Sequence, residues 1–226
     1  MITSRKEDAL REAAAFIGGG ASYIAGNAGD TDFAQKCVSA TLEQFGKIDI
    51  FVNNAATNPY SGPTLEVSES QFDKTFQVNL RGPLFWCSQV WSQHMKDNPG
   101  VIINIASGAG MRGSPMTGPY AASKAGMINL TLTLALELAE RDIRVNTVSP
   151  GPIATEAFLE VLGIAADLDA IASTIPLRRL GTPDDIGAAV LYLASPASSW
   201  VTGQNILVAG GRTERSYQYG GREKKK

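Results

Sequence analysis

The 226-residue sequence has one histidine, two cysteines and almost no net charge, and each scarcity narrows what the chain can do. A lone histidine, His94 in WSQHMKDN, supplies no histidine cluster for zinc and argues against a Ser-His-Asp triad. Cys37 and Cys87 stand far apart in apolar helical contexts, which argues against a disulfide scaffold and fits a reducing, cytoplasmic setting. A formal charge of −2 gives no field that would gather nucleic acid or an anionic membrane. No apolar run is long enough to span a bilayer, and charges arrive too early, at Arg5, for a signal peptide. The one basic run, Arg222-Glu223-Lys224-Lys225-Lys226, follows Gly220-Gly221 and reads as a frayed tail.

What the chain does have is ordinary globular stock: 44% apolar and 19% charged residues, enough for one sizeable core. The apolar pattern alternates between strand and helix periods, which predicts an α/β fold: a doubly wound parallel sheet, Rossmann-like, in three layers. Helix is expected over Glu7–Ile17, from Asp30 to Phe45, from Ser68 to Lys96 with a bend at Gly82-Pro83, over Gly118–Arg141, in broken form from Thr155 to Ser173, and over Pro183–Ala194. Strands are expected at Ala21–Ala25, Lys47–Asn53, Gly100–Ala106, Ile143–Val148 and Asn205–Ala209, with Ile2-Thr3-Ser4 as a strand end. Residues 1–211 form a single domain in this reading, and 212–226 a flexible tail.

The sharpest chemical feature is GPYAASKAG, Gly118 to Gly126, where Tyr120 and Lys124 share one helix face. A phenol titrating near ~10 serves poorly in acid–base chemistry at neutral pH unless its anion is stabilised, and a cation one turn away can do that. Alone, such a pair arises often by chance. Ser107, however, ends the apolar strand IINIAS, at the carboxyl end where open α/β sheets bind ligands. Asn79 in FQVNLRG places a polar side chain inside an apolar helical stretch. By itself that is ordinary packing, but with the other three it makes an ordered set.

That set resembles the short-chain dehydrogenases/reductases in their compact form. The resemblance runs from Ser4 to Gly211 and includes NNAA at Asn53–Ala56, Asn79, Ser107, the Tyr120/Lys124 pair, Pro150-Gly151 with Thr155, RLGTPDDIG at Arg179–Gly187 and TGQ at Thr202–Gln204. It implies an oxidoreductase moving a hydride between a nicotinamide cofactor and a small carbonyl/alcohol substrate of ketone or 3-oxoacyl type. Tyr120 would be the acid/base. Lys124 would lower its pKa and hold the nicotinamide ribose, Ser107 would orient the substrate oxygen, and Asn79 would hold a relay water. Cofactor contacts are expected at Ser4, Arg5, Asn27, Ala28, Asn53, Ala55, Tyr120 and Lys124, and at Pro150, Gly151, Ile153 and Thr155 by the nicotinamide. The resemblance implies no metal. Ser4-Arg5-Lys6 puts a hydroxyl and two cations where the adenosine ribose lies, which suits the 2′-phosphate of NADP over NAD.

Asn27-Ala28 and VAGG at Val208–Gly211 depart from the family's usual Asp-Val and Asp-Gly-Gly. The family's first strand and glycine-rich pyrophosphate loop are also missing from the sequence. GGGASYIAG at Gly18 runs from helix to strand, the wrong order, and GAGMRG at Gly108 belongs to the loop after Ser107. The absent strand would lie between the strands ending at Ser4 and around Phe51. Either the sequence is part of a longer enzyme, which the intact Asn-Ser-Tyr-Lys set favours, or the short chain binds cofactor weakly and acts as a silent binding or assembly partner. An epimerase or dehydratase is a further reading, disfavoured by the lack of a larger C-terminal substrate domain. The resemblance also implies a homotetramer or homodimer built on the helices of Ser68–Lys96 and Gly118–Arg141.

Overall fold

The computed structural model describes residues 1–156, 158–159 and 167–212. The expected tail beyond Arg212, and residues 157 and 160–166 of the expected broken helix, lie outside them. Six strands run β1 (Ile2–Ser4), β2 (Tyr23–Ala25), β3 (Ile50–Asn53), β4 (Gly100–Ile105), β5 (Ile143–Pro150) and β6 (Asn205–Val208). Among them lie helices α1 (Glu7–Ile17), α2 (Thr31–Phe45), α3 (Glu69–Phe76), α4 (Gly82–Val90), α5 (Gly118–Leu138), α6 (Leu168–Ser173) and α7 (Pro183–Ala194). Every pairing is parallel, as the strand–helix alternation requires.

The parallel sheet is divided at the place where the sequence analysis puts the family's first strand. Among the described residues β1 pairs only with β2, while β3-β4-β5-β6 form a separate four-stranded sheet. β1 and β3 do not bond each other. Between them lies a cavity of about 950 Å³ lined by residues of both, including Ile2, Thr3, Phe51 and Val52.

The four-stranded sheet holds the core. Along β4 the side chains alternate: Val101, Ile103 and Ile105 pack with Val148 and Leu193 under α7, whereas Ile102 joins Val38, Trp86, Val90, Ala135 and Val145 under α2, α4 and α5. Helices thus cover both faces, which is why β4 is apolar without a break. Each such Ile or Val stabilises the fold by about 1.5–3 kcal/mol relative to exposure.

The helix ends follow local chemistry. The Asp30 carboxylate accepts from the N–H groups of Asp32 and Phe33 at the start of α2, and Gly46, left-handed at φ 76°, closes its other end. Thr182 and Asp185 form a capping box ahead of α7, and the Arg179 guanidinium grips the same carboxylate at 2.6 and 2.8 Å. That grip holds Asp185 well below the usual carboxylate range.

The bend expected at Gly82-Pro83 takes a specific form. Residues Gln77–Arg81 make a wide π turn between α3 and α4, and the Gly82 N–H reaches back to the Gln77 carbonyl. Pro83 has no N–H to give the carbonyl four residues back, which is that of Asn79. Gly82 also lies against the loop after β2: a Cβ there would come within 2.7 Å of the Ala28 carbonyl, which already accepts from Trp86 Nε1 at 3.0 Å. No described helix is long and apolar enough to cross a membrane.

Candidate active site

Ser107 follows the end of β4, and Tyr120 stands in the first turn of α5, after Pro119. Two contacts fix their relation. Tyr120 makes a side-chain hydrogen bond with Ser107. The short helical turn Gly108–Met111 is pressed so close to α5 that a Cβ on Gly110 would fall 2.7 Å from the Ala125 nitrogen and the Lys124 carbonyl carbon. Only glycine lets the loop carrying Ser107 lie on the helix carrying Tyr120. Ser107 Oγ also accepts from the Ala109 N–H at 3.2 Å, which turns the hydroxyl toward that loop.

Lys124 is buried one turn along α5. Its Nζ donates to the Ile105 carbonyl at 2.8 Å and stands 5.8 Å from the centre of the Tyr120 ring. Burial lowers the Lys124 ammonium to about 8. Burial pushes the Tyr120 phenol up, and the Ser107 hydrogen bond only partly opposes it. The lysine therefore faces the backbone at the strand end, and the net direction on the phenol is upward in this structure.

Asn79 is fully buried, and both of its Nδ2 protons and its Oδ1 are engaged. Its Oδ1 accepts from the Thr57 N–H at 2.8 Å, and its Nδ2 donates to the Thr57 carbonyl at 2.9 Å and to Ser123 Oγ at 3.1 Å. Ser123 in turn donates to the Tyr120 carbonyl at 2.7 Å. Asn79 therefore staples the loop after β3 to the helix that carries Tyr120 and Lys124. Neither Thr57 nor Ser123 announced itself in the sequence; only the position of Ser123 beside Lys124 hinted at it.

Beneath this set runs a buried polar chain. Asn53 Nδ2 donates to Asn104 Oδ1, Asn104 Nδ2 to Thr131 Oγ1, and the Thr147 hydroxyl to the same oxygen, each at 2.8 Å. It ties β3, β4, β5 and α5 together, and no buried side-chain N or O among the described residues lacks a partner.

The remaining predicted residues fall in two groups. Ser4, Arg5, Asn27, Ala28, Asn53 and Ala55 line the one cavity between β1 and β3. Pro150, Gly151, Ile153 and Thr155 lie at and beyond the carboxyl end of β5. Pro150 there meets the Ser107 loop: a Cβ on Gly108 would be 3.5 Å from its carbonyl. The residues present thus fit the two ends of a dinucleotide, a hydroxyl and a cation at one and the Ser107-Tyr120-Lys124 group at the other. The turn that opens α2, GNAGD, is no substitute for a phosphate loop, because the Asp30 carboxylate already occupies that helix start. Among the described residues no group of acidic, histidine or cysteine side chains could hold a metal.

Comparison with known proteins bears on this geometry. A family model described as enoyl-(acyl carrier protein) reductase matches residues 1–213. Human dehydrogenase/reductase SDR family member 4 is 34% identical over 219 residues, 95% of this chain and 78% of that protein. The structure of ElxO with NADP bound superposes with a TM-score of 0.86 at 28% identity, over 93% of this chain and 86% of that one. NAD+-bound xylitol dehydrogenase gives 0.85 at 29% identity, over 92% and 87%.

Proposed function

This chain belongs to the short-chain dehydrogenase/reductase family of nicotinamide-dependent oxidoreductases, and from that premise we propose that it interconverts a carbonyl and an alcohol using NADP(H). The observation that carries the reading is the convergence of two hydroxyls, Ser107 and Tyr120, in a shared hydrogen bond at the carboxyl end of β4. Two hydroxyls held this close can each donate to a carbonyl oxygen that enters between them, since such an oxygen accepts on both lone pairs.

The nicotinamide supplies the hydride. In reduction, Tyr120 gives its proton to the substrate oxygen as the alcohol forms, and Ser107 holds that oxygen in place. The phenol held high by burial keeps that proton until a substrate oxygen takes it. In this reading Lys124, 5.8 Å from the centre of the Tyr120 ring, would hold the nicotinamide ribose. In this reading the Asn79 carbonyl, which gets no N–H from Pro83 four residues on, would hold a relay water behind Lys124. Ketones and 3-oxoacyl thioesters are the substrate class, and Arg5 beside Ser4 reads the 2′-phosphate of NADP. Self-association through α3, α4 and α5 belongs to the same reading, supported by exposed Phe72, Leu84, Phe85, Leu132 and Leu136, the last 82% exposed.

The test is NADPH consumption by the purified protein over a panel of ketones and 3-oxoacyl thioesters, with the alcohol product identified. Arg5→Glu should reverse the preference for NADPH over NADH. Turnover with NADH alone would overturn the NADP assignment. No turnover with either cofactor, in a protein that melts cooperatively, would leave a silent binding partner.

A further inference from the structure

We propose that Met116 is a positioning residue that, given the oxidoreductase reading on which this rests, limits the size of substrate reaching Tyr120 by clasping two loops together. The loops after β3 and β4 leave the carboxyl ends of neighbouring strands, the end at which Ser107 and Tyr120 meet. Gly62 belongs to the first loop and is buried, so its N–H needs a partner inside the protein. It donates to the carbonyl of Met116, in the second loop, at 2.8 Å. Two residues on, the contact continues: a Cβ on Gly118 would fall 2.2 Å from Thr64 Oγ1. The loop after β3 is therefore held at Thr57 by Asn79 and at Gly62 by Met116, and residues 58–61 run between the two anchors.

Met116 makes this clasp in a strained conformation. The Thr117 N–H bonds the Ser114 carbonyl at 3.2 Å, so Ser114-Pro115-Met116-Thr117 is a β-turn. The hydroxyls of Ser114 and Thr117 close it at 2.8 Å. Proline suits the second position of such a turn. Met116, in the third, has φ 68°, the left-handed region that turns give to glycine or asparagine. A methionine stays there only because its surroundings hold it, and Gly62 on its carbonyl is one of them. Once Gly62 lets go, the turn is free to relax. The strain therefore favours opening of the clasp.

The consequence is a size limit. A small ketone reaches Tyr120 with the two loops joined, whereas a bulky acyl chain needs them apart. Its apparent KM is then the intrinsic value divided by the open fraction. Relieving the strain at Met116 lowers that fraction and penalises large substrates alone. The acid–base groups stay in place when the clasp opens. Ser107 and Tyr120 bond each other, and Asn79 holds their helix through Ser123.

The test compares the parent chain with Met116→Gly, Met116→Asn and Met116→Val. Glycine and asparagine tolerate the left-handed region, and a β-branched valine tolerates it least. In the parent, the Gly62 amide should exchange far faster than that of Ile103 in mid-β4, because the clasp opens without unfolding. Gly62 exchange should slow by up to about tenfold in the glycine and asparagine variants and quicken in the valine variant. Kinetics with a small ketone and a long-chain 3-oxoacyl thioester complete the comparison. The thioester KM should rise in Met116→Gly by the factor by which exchange slows, and fall in Met116→Val. The kcat and the small ketone's KM should hold. Side-chain bulk cannot mimic this, since glycine and valine are both smaller than methionine and yet must act in opposite directions. In an active protein, three results would overturn the proposal: Gly62 exchanging as slowly as Ile103, the glycine and valine variants moving the thioester KM the same way, or the two substrates shifting together. A parent chain that consumes neither NADPH nor NADH would instead sink the oxidoreductase reading, and the size limit with it.

Discussion

The two sheets are built by opposite rules. In the four-stranded sheet, strands β4 and β5 are buried on both faces, and Asn53, Asn104, Thr131 and Thr147 satisfy one another beneath the proposed catalytic side chains. The pair β1-β2 has three residues in each strand, none of them buried, and its inner edge opens on the cavity. Acid–base groups must be held within a fraction of an ångström, and the groups proposed for that role, Ser107, Tyr120 and Lys124, hang on the rigid half. The residues suited to read the far end of a cofactor, Ser4 and Arg5, hang on the loose half. The comparison predicts that substitutions in the first region separate into chemical and structural effects, and that those in the second cost little stability.

The largest effect falls on chemistry alone. Tyr120→Phe removes the proton that the phenol would give the substrate in the proposed reaction and the hydrogen bond with Ser107, while the ring keeps its packing. Steady-state kinetics should show kcat lower by about 10²–10⁴-fold, with an unchanged melting temperature. A lower melting temperature would mean that this hydroxyl also holds the fold, and the separation would fail.

Next comes the buried polar chain. Thr131 accepts from Asn104 and Thr147 and donates to the Met127 carbonyl at 2.9 Å. Thr131→Val strands both donors away from water, and chemical denaturation should register a loss of about 1–3 kcal/mol. Thr131→Ser keeps the oxygen and should recover most of it. Equal losses in the two variants would point to packing of the methyl group rather than to the chain of hydrogen bonds.

This chain also marks the limit of what sequence could tell. Asp30, Ser68 and Thr182 betrayed helix starts because a cap acts within three residues. The periods of β4 and α5 betrayed their type because each repeats within one element. Tyr120 and Lys124 were legible for the same reason, being one turn apart. The Asn79–Thr57 and Asn104–Thr131 bonds join residues 22 and 27 positions apart, and no local pattern encodes which amide will face which hydroxyl. The π turn at Gln77–Arg81 was half legible: Pro83 signalled a disturbance, but its form depends on how closely Gly82 approaches Ala28. The lysine's turn toward Ile105 needed the strand end in place.

Lys124 gives a smaller and more selective effect. Burial holds its ammonium near 8 against an ordinary 10.5. Between those values the unfolded chain keeps a proton that the folded chain has released. Stability from this group therefore rises with pH across the window and is lost as pH falls through about 8. Tyr120, Cys37 and Cys87, all raised by burial, work in the opposite sense at high pH. The difference between parent and Lys124→Met isolates the lysine: thermal melts from pH 7 to 10 should narrow the variant's advantage steadily as pH increases. A gap that stays constant with pH would show the lysine already neutral, or solvated in a way its burial does not suggest.

The smallest effect sets the two regions side by side with one substitution. Valine and threonine have nearly the same shape, so Val→Thr changes little beyond a hydroxyl. At Val145, fully buried in β5, that hydroxyl loses water and should cost about 1–3 kcal/mol. At Val52, on the edge facing the cavity, the hydroxyl keeps its water and the change should stay within about 0.5 kcal/mol. Denaturation of the two variants measures the contrast directly. A comparable cost at Val52 would mean that the edge is covered in solution, which would erase the difference between the halves. The size of that cost would then report how well the cover excludes water.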